Sequence, residues 1–169
     1  MNKLHCLSTV TVVLLALLTK LESDPGKFSI AQSAILNADY RDLFQFVAHP
    51  DTVEVWFRWI SHFRAADKRP LGVGKLYQAV YSLPVLGDYI MLFRVMKYVP
   101  DSCMVLESES WLKPRFEVFA TPISEEQARL TFRLVFRRSS ALFQYTLGPL
   151  LRIFAQHYIQ NSFSLLSNV

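Results

Sequence analysis

The stretch RLTFRLVFR, residues 129–137, restricts the fold more than any other part of the chain. Leu130, Phe132, Leu134 and Phe136 fall on one parity, and Arg129, Thr131, Arg133 and Arg137 on the other. A period of two marks a strand, and a strand with one wet face belongs to an antiparallel sheet whose other face is covered. From residue 60 onward, turn signals separate short runs of the same kind. They are Arg69-Pro70-Leu71-Gly72, Leu83-Pro84-Val85-Leu86-Gly87-Asp88, Pro100-Asp101, Lys113-Pro114 and Ser124-Glu125-Glu126, and they predict about six strands. One run, YIMLFRVMKYV at 89–99, is apolar on both parities. Both of its sides are therefore expected to meet something other than water over part of their length. Arg94 sits in its middle, and a buried arginine is costly unless paired. Glu107 or Glu109 on the next strand, or a ligand carboxylate, is the expected partner.

The elements flanking these strands are helical. After Arg138, Ser139 or Ser140 caps a helix of nearly thirty residues with Phe143, Leu147, Leu150, Leu151, Phe154, Tyr158 and Leu165 on one face. Pro149 lies inside it and removes a backbone bond, so a kink is expected there. Upstream, FSIAQSAIL at 28–36 reads as a first strand. Asn37 or Asp39 then caps a helix carrying Leu43, Phe44, Phe46 and Val47. His49-Pro50 ends that helix, and Asp51-Thr52 starts a second short one with Val53, Val55, Trp56 and Phe57. The fold class is α+β. A curved antiparallel sheet needs a cover, and the long C-terminal helix is the largest element to supply it.

Length suits one domain, since the chain has 169 residues. Apolar residues at 51% and aromatics at 14% fill a core and leave apolar surface to face a ligand, a membrane or a partner. The net charge of +4 comes from scattered basic residues; nucleic-acid binding needs a clustered stripe, which this pattern lacks. At the N-terminus, Lys3 precedes an apolar-rich run from Leu7 to Leu18. Twelve residues cover about 18 Å of helix, and a bilayer needs about 20 residues. Residues 1–23 are therefore expected to be a secretory leader, with Ser23 the best small residue for cleavage and an uncleaved membrane anchor as the alternative. The folded domain is then 27–169 and secreted. Cys103 is the one thiol it keeps, so no internal disulfide is expected.

Several motifs bear on chemistry. His49, Asp51 and Glu54 form H-x-D-x-x-E, but Pro50 breaks the helix between them, and zinc ligands prefer fixed i, i+4 positions. They are expected to be a helix joint with Asp51 as its cap. Beside them, Trp56, Phe57, Trp59 and Phe63 are expected to pack where the second helix leans over the sheet or to line a ligand entrance. His157, next to Phe154 and Tyr158, either acts as a base or bonds a neighbour. Gly72-Val73-Gly74 lacks the Lys-Ser/Thr of a phosphate loop and is read as a hairpin turn.

The strand FSIAQSAIL running into NADYRDLFQFVAHPDTVEVWF, the segment LGVGKLYQAVYSLPVLGDY, the strand QARLTFRLVF and the final helix together resemble the START-like, Bet v 1-like helix-grip superfamily, including the polyketide cyclase/dehydrase family. Asp39, the break His49-Pro50-Asp51 and Trp56 stand where that family has its acidic helix start, its break and its Trp. The resemblance covers about residues 28–168. It implies a curved antiparallel sheet wrapped around a long C-terminal helix, two short helices after strand 1, and a hydrophobic cavity between sheet and helix. The expected ligand-contacting residues are Trp56, Tyr81, Met91, Phe93, Arg94, Phe116, Phe132, Phe136, Leu147, Leu151, Phe154, His157 and Tyr158. The expected function is binding or carrying a lipid, sterol or polyketide-like molecule. The alternatives are a cyclase or dehydratase using His157, Arg94 or Tyr81 in the same cavity, and a structural or membrane-surface module. No cofactor and no metal is expected. The sequence leaves the oligomeric state open.

Overall fold

The computed structural model describes residues 2–57, 60–83 and 87–167. Trp59 and the turn residues Pro84, Val85 and Leu86, singled out above, lie outside them. A helix α1 (Asn2–Lys20) leads through a short 3-10 turn (Pro25–Phe28) into β1 (Ile30–Leu36). Then come α2 (Tyr40–Ala48), α3 (Pro50–Trp56), β2 (Ile60–Ala65), β3 (Leu76–Leu83), β4 (Gly87–Val99), β5 (Cys103–Glu107), β6 (Pro114–Pro122) and β7 (Ala128–Phe136). The chain closes with α4 (Ala141–Tyr145) and α5 (Leu147–Leu166). The strands form one seven-stranded sheet in the order β1-β7-β6-β5-β4-β3-β2, antiparallel throughout. This is the expected α+β architecture, a curved antiparallel sheet with two short helices after strand 1 and a long C-terminal helix.

The parity read from 129–137 sets the faces. Leu130, Phe132, Leu134 and Phe136 are all buried on the concave side. Phe116 and Val118 of β6, Met104 and Leu106 of β5, and Met91, Phe93 and Val95 of β4 join them in one core. α2 lies over β6 and β7, α3 against β2, and α5 against β1 and α3. On the convex side, cross-strand register places Glu107 opposite Arg115 and Glu117 opposite Arg133. Arg115 bonds Glu117 at 2.6 Å and Glu107 at 2.8 Å, and Arg137 bonds Glu107 at 3.2 Å and Glu109 at 2.7 Å. Burial disfavours charge on Arg115, but its two carboxylate partners outweigh that and hold its pKa above the ordinary value.

This network corrects the reading of Arg94. It stands opposite Glu107 in the β4–β5 register, yet it is exposed, and the carboxylate of Glu107 is taken by Arg115 and Arg137. The outer parity of β4 likewise faces water, with Ile90 62%, Leu92 55% and Met96 47% exposed. A strand apolar on both faces is expected to meet something other than water on both over part of its length. Here only the concave face is covered. β4 pairs with β3 from Gly87 to Arg94 but with β5 only from Arg94 to Val99.

The C-terminal helix is also interrupted elsewhere than expected. It breaks at Thr146, with φ −113° and ψ −80°, not at Pro149. Pro149 lies in the first turn of α5, where an amide hydrogen has no intrahelical acceptor and its absence costs little. The buried stripe of α5 is Gly148, Leu151, Ala155, Ile159, Ser162, Phe163 and Leu166. Leu150 and Phe154 are exposed, and Leu147, Tyr158 and Leu165 are half-buried. Three small residues, spaced seven apart, let the helix approach its neighbours closely, so the face is rotated from the one the large residues suggested.

At the other end of the chain, α1 presents its side chains outward. From Val10 to Lys20 each is exposed except half-buried Leu18. Just past α1, Ser23 N–H donates to the Ser139 carbonyl at 2.7 Å, and Ala141 N–H donates to the Leu21 carbonyl at 2.8 Å. Among the described residues, no helix is long and apolar enough to cross a membrane.

Candidate functional site

The joint between α2 and α3 is built by the H-x-D-x-x-E residues. Asp39 caps α2 by accepting from Arg41 N–H at 2.8 Å. His49 both ends α2 and caps α3, its Nδ1 accepting from Asp51 N–H at 3.4 Å. The cap is thus His49 rather than Asp51, which sits in the first turn of α3 and favours the positive end of its dipole. Glu54 has a separate task. β2 bulges between Ser61 and Arg64, with His62 in the left-handed region at φ 52°. That bulge takes the Phe63 amide out of the ladder, and Glu54 Oε1 accepts from it at 2.7 Å. The same interaction turns the Phe63 ring inward, where it stacks on Tyr77 with centroids 4.9 Å apart and planes at 17°.

Beneath this joint lies a chamber of about 30 Å³ whose lining residues are all buried. Val47 of α2, Val53 and Trp56 of α3, Phe57, Ile60 and Phe63 line it from above, and Met104, Leu106, Phe116, Val118 and Phe132 form its floor on the sheet. Its walls are an aromatic cluster at the separations such rings prefer. Phe57 lies 5.2 Å from Phe132 and 5.8 Å from Phe116, and Trp56 meets Phe132 edge-on at 6.0 Å. Behind this first ring of aromatics, Tyr81 stacks on Phe116 at 6.2 Å and Phe93 approaches it at 5.5 Å. Burial pushes the Tyr81 hydroxyl well above its usual pKa, so it keeps its proton at neutral pH.

Trp56 is 3% exposed, and its Nε1–H has no hydrogen-bond partner among the described residues. An orphaned buried donor costs about 1–3 kcal/mol. The chamber has room for a water molecule, but a buried water needs two to four polar partners, and the lining is otherwise hydrocarbon, aromatic ring and thioether.

On the far side of the Phe63–Tyr77 stack a cleft of about 260 Å³ opens to solvent, lined by Phe44, Gln45, Ala48, His49, Pro50, Leu71, Tyr77 and Tyr98. Burial, with Tyr98 and Asp67 adding to it, raises the pKa of Tyr77. The Phe44 and Tyr98 rings in its lining stand 6.3 Å apart. Other clefts are more open and more polar. One of about 640 Å³ runs between the end of β1, α2 and the last turn of α5, and one of about 500 Å³ lies between Lys27 and Arg152.

The expected site residues divide accordingly. Trp56, Phe116 and Phe132 line the chamber, with Tyr81 and Phe93 in the same cluster. Met91 and Phe136 are core residues at other points, Met91 accepting from Ser110 Oγ at 3.2 Å and Phe136 packing edge-on to Phe143. Leu151 is buried under α5, while Phe154 and His157 are exposed, and the imidazole of His157 is 3.1 Å from Asn161 Nδ2. The enclosed space in the core lies under α2 and α3, and the cleft that reaches the C-terminal helix meets it at Leu166 and Ser167. Val53 and Ile60 were not among the expected ligand contacts, and Phe63 was expected either to pack at the joint or to line an entrance. Phe63 is turned inward by a bulge that no hydrophobic pattern announces.

No family model matches the sequence, and no curated protein matches it. Solved structures do match. The chain has the helix-grip fold. It superposes on TTHA0849 from Thermus thermophilus with a TM-score of 0.66 at 10% identity, covering 83% of this chain and 94% of that one. The di-domain ARO/CYC StfQ from the steffimycin biosynthetic pathway superposes with a TM-score of 0.64 at 10% identity, over 83% of this chain and 50% of StfQ. A protein from Arthrobacter aurescens gives a TM-score of 0.62 at 16% identity, over 88% and 91%.

Proposed function

We propose that this helix-grip chain binds an apolar small molecule in the chamber beneath α2 and α3, with the cleft at the His49-Pro50 joint as its entrance. The observation that carries the reading is the unfilled aromatic chamber, separated from an open cleft by the Phe63–Tyr77 stack. In this closed form the chamber is smaller than a lipid or sterol. Binding therefore requires α3 and Phe63 to swing outward, joining chamber and cleft. Both belong to a short stretch between a Pro joint and a bulge. Replacing Val118 with Phe fills the floor of the chamber. It should weaken binding of a fluorescent fatty acid or sterol at least tenfold. Overpacking costs about 1–3 kcal/mol, so the melting temperature falls by several degrees while the domain stays folded. Unchanged probe binding would sink the reading.

Catalysis in the same chamber is the second reading, favoured by the likeness to StfQ. It requires a proton donor at the ligand, and Tyr81 is the hydroxyl in the aromatic cluster. Tyr81→Phe distinguishes the two, since it leaves probe binding intact and abolishes any turnover. For location, α1 is proposed as a secretory leader. N-terminal sequencing of exported protein should then begin between about residues 19 and 26. Recovery of the chain from Met1 in membranes would establish the anchor instead.

A further inference from the structure

Hydrocarbon packing leaves one side chain among the chamber's described lining unexplained. Trp56 ends α3, is 3% exposed, and carries a buried N–H without a partner among the described residues. Before any outward movement of α3 its ring packs against Phe57 at 5.3 Å and meets Phe132 edge-on at 6.0 Å. A single trapped water would find one polar partner where it needs two to four.

We infer that the ligand carries a neutral hydrogen-bond acceptor, and that Trp56 Nε1–H orients it by donating to that oxygen. This rests on the proposed binding of an apolar molecule in the chamber and names the chemistry of that molecule. The body is apolar and fits between aromatic rings. One ketone, ester or ether oxygen meets the indole. A carboxylate is disfavoured, because none of the chamber's described lining residues is cationic and a buried unpaired charge is far costlier than a buried neutral acceptor. A site built around a buried donor discriminates against the analogue lacking the acceptor, since the donor is then left unpaired.

The test uses 1-indanone and indane, bicycles of similar size that differ by one carbonyl oxygen, titrated by calorimetry into the full chain and into its Trp56→Phe variant. Phe keeps an aromatic ring and removes the N–H. The variant should lose about tenfold in affinity for indanone, the value of one hydrogen bond of about 1.4 kcal/mol, and less than about twofold for indane. In a nitrogen-15 correlation spectrum of the parent, the indole N–H resonance that Trp56→Phe removes should move downfield with indanone and stay nearly fixed with indane. This second readout needs the variant only for assignment. An equal loss for both compounds, or an indole resonance that indanone leaves unmoved, overturns the inference while ligand binding stands. Failure of the parent to bind either compound overturns the inference together with the proposed function.

Discussion

Removing the carboxylate of Glu54 probes the joint directly. Glu54 Oε1 accepts from the Phe63 amide at 2.7 Å, in a partly buried position where the β2 bulge has removed that amide from the sheet ladder. Hydrogen bonds to a charged group contribute about 1.5–3 kcal/mol. Glu54→Ala should therefore destabilise the domain by about 2 kcal/mol. Alanine is the better helix former by a few tenths of a kcal/mol, which offsets the loss slightly. For a domain of this size 1 kcal/mol shifts the melting temperature by about 2–4 °C, so the expected fall is about 4–8 °C. Glu54→Gln keeps an acceptor at the same reach and should lose about half as much. The assay is thermal unfolding followed by circular dichroism, with urea unfolding as a check that the slope is unchanged. Melting temperatures within about 1 °C of the parent for both variants would refute the reasoning, because the bulge amide would then have found another acceptor. A fall of equal size in both would mean that charge rather than the hydrogen bond matters.

Gly148→Ala should destabilise by at least about 1 kcal/mol even though alanine is the better helix former by a similar amount. Its Cβ would lie 2.9 Å from the backbone carbonyl oxygen of Phe143, and urea unfolding measures the effect. The carboxylate of Asp67 loses solvation by burial, which would raise its pKa, but the hydrogen bond and charge of Lys75, whose Nζ lies 3.0 Å away, outweigh this and hold it below the ordinary value. A depressed carboxylate contributes stability that is present above the ordinary aspartate range and disappears as pH falls through the lowered value. Asp67→Asn should flatten the acid limb of the stability curve in that window, read as melting temperature against pH. An unchanged acid limb counts against the pairing.

The sequence exposed those parts of the fold that depend on period and punctuation. RLTFRLVFR showed its parity because its two faces differ in chemistry, and His49-Pro50 marked a joint because Pro restricts its neighbour. What remained hidden depends on distance across the fold. The register that sets Glu107 opposite Arg115 lies between strands, so the sequence does not show that Glu107 is occupied by Arg115 and Arg137 rather than by Arg94. On α5 a search for large apolar residues found Leu150 and Phe154, while close approach selected Gly148, Ala155 and Ser162. Where a helix fits flush depends on its smallest residues, and these carry no hydrophobic signal. Trp56 was legible as an aromatic near the site, but its orphaned N–H is a property of its surroundings.

The half-paired β4 strand implies that one strand carries two rates of amide exchange. At Arg94 and Val95 it is held on both sides, by Leu76, Lys75 and Gly74 on one and by β5 on the other, and from Lys97 to Val99 it pairs with β5. From Gly87 to Phe93, β3 is its strand partner among the described residues. A strand paired along one edge is held by fewer ladder bonds than one paired along both, and local opening requires less free energy where fewer bonds must break together. Deuterium should therefore enter the Ile90 to Leu92 segment well before it enters Val95, and the boundary should fall near Arg94. The same asymmetry lets β4 fray from its Gly87 end before the stretch paired with β5 gives way.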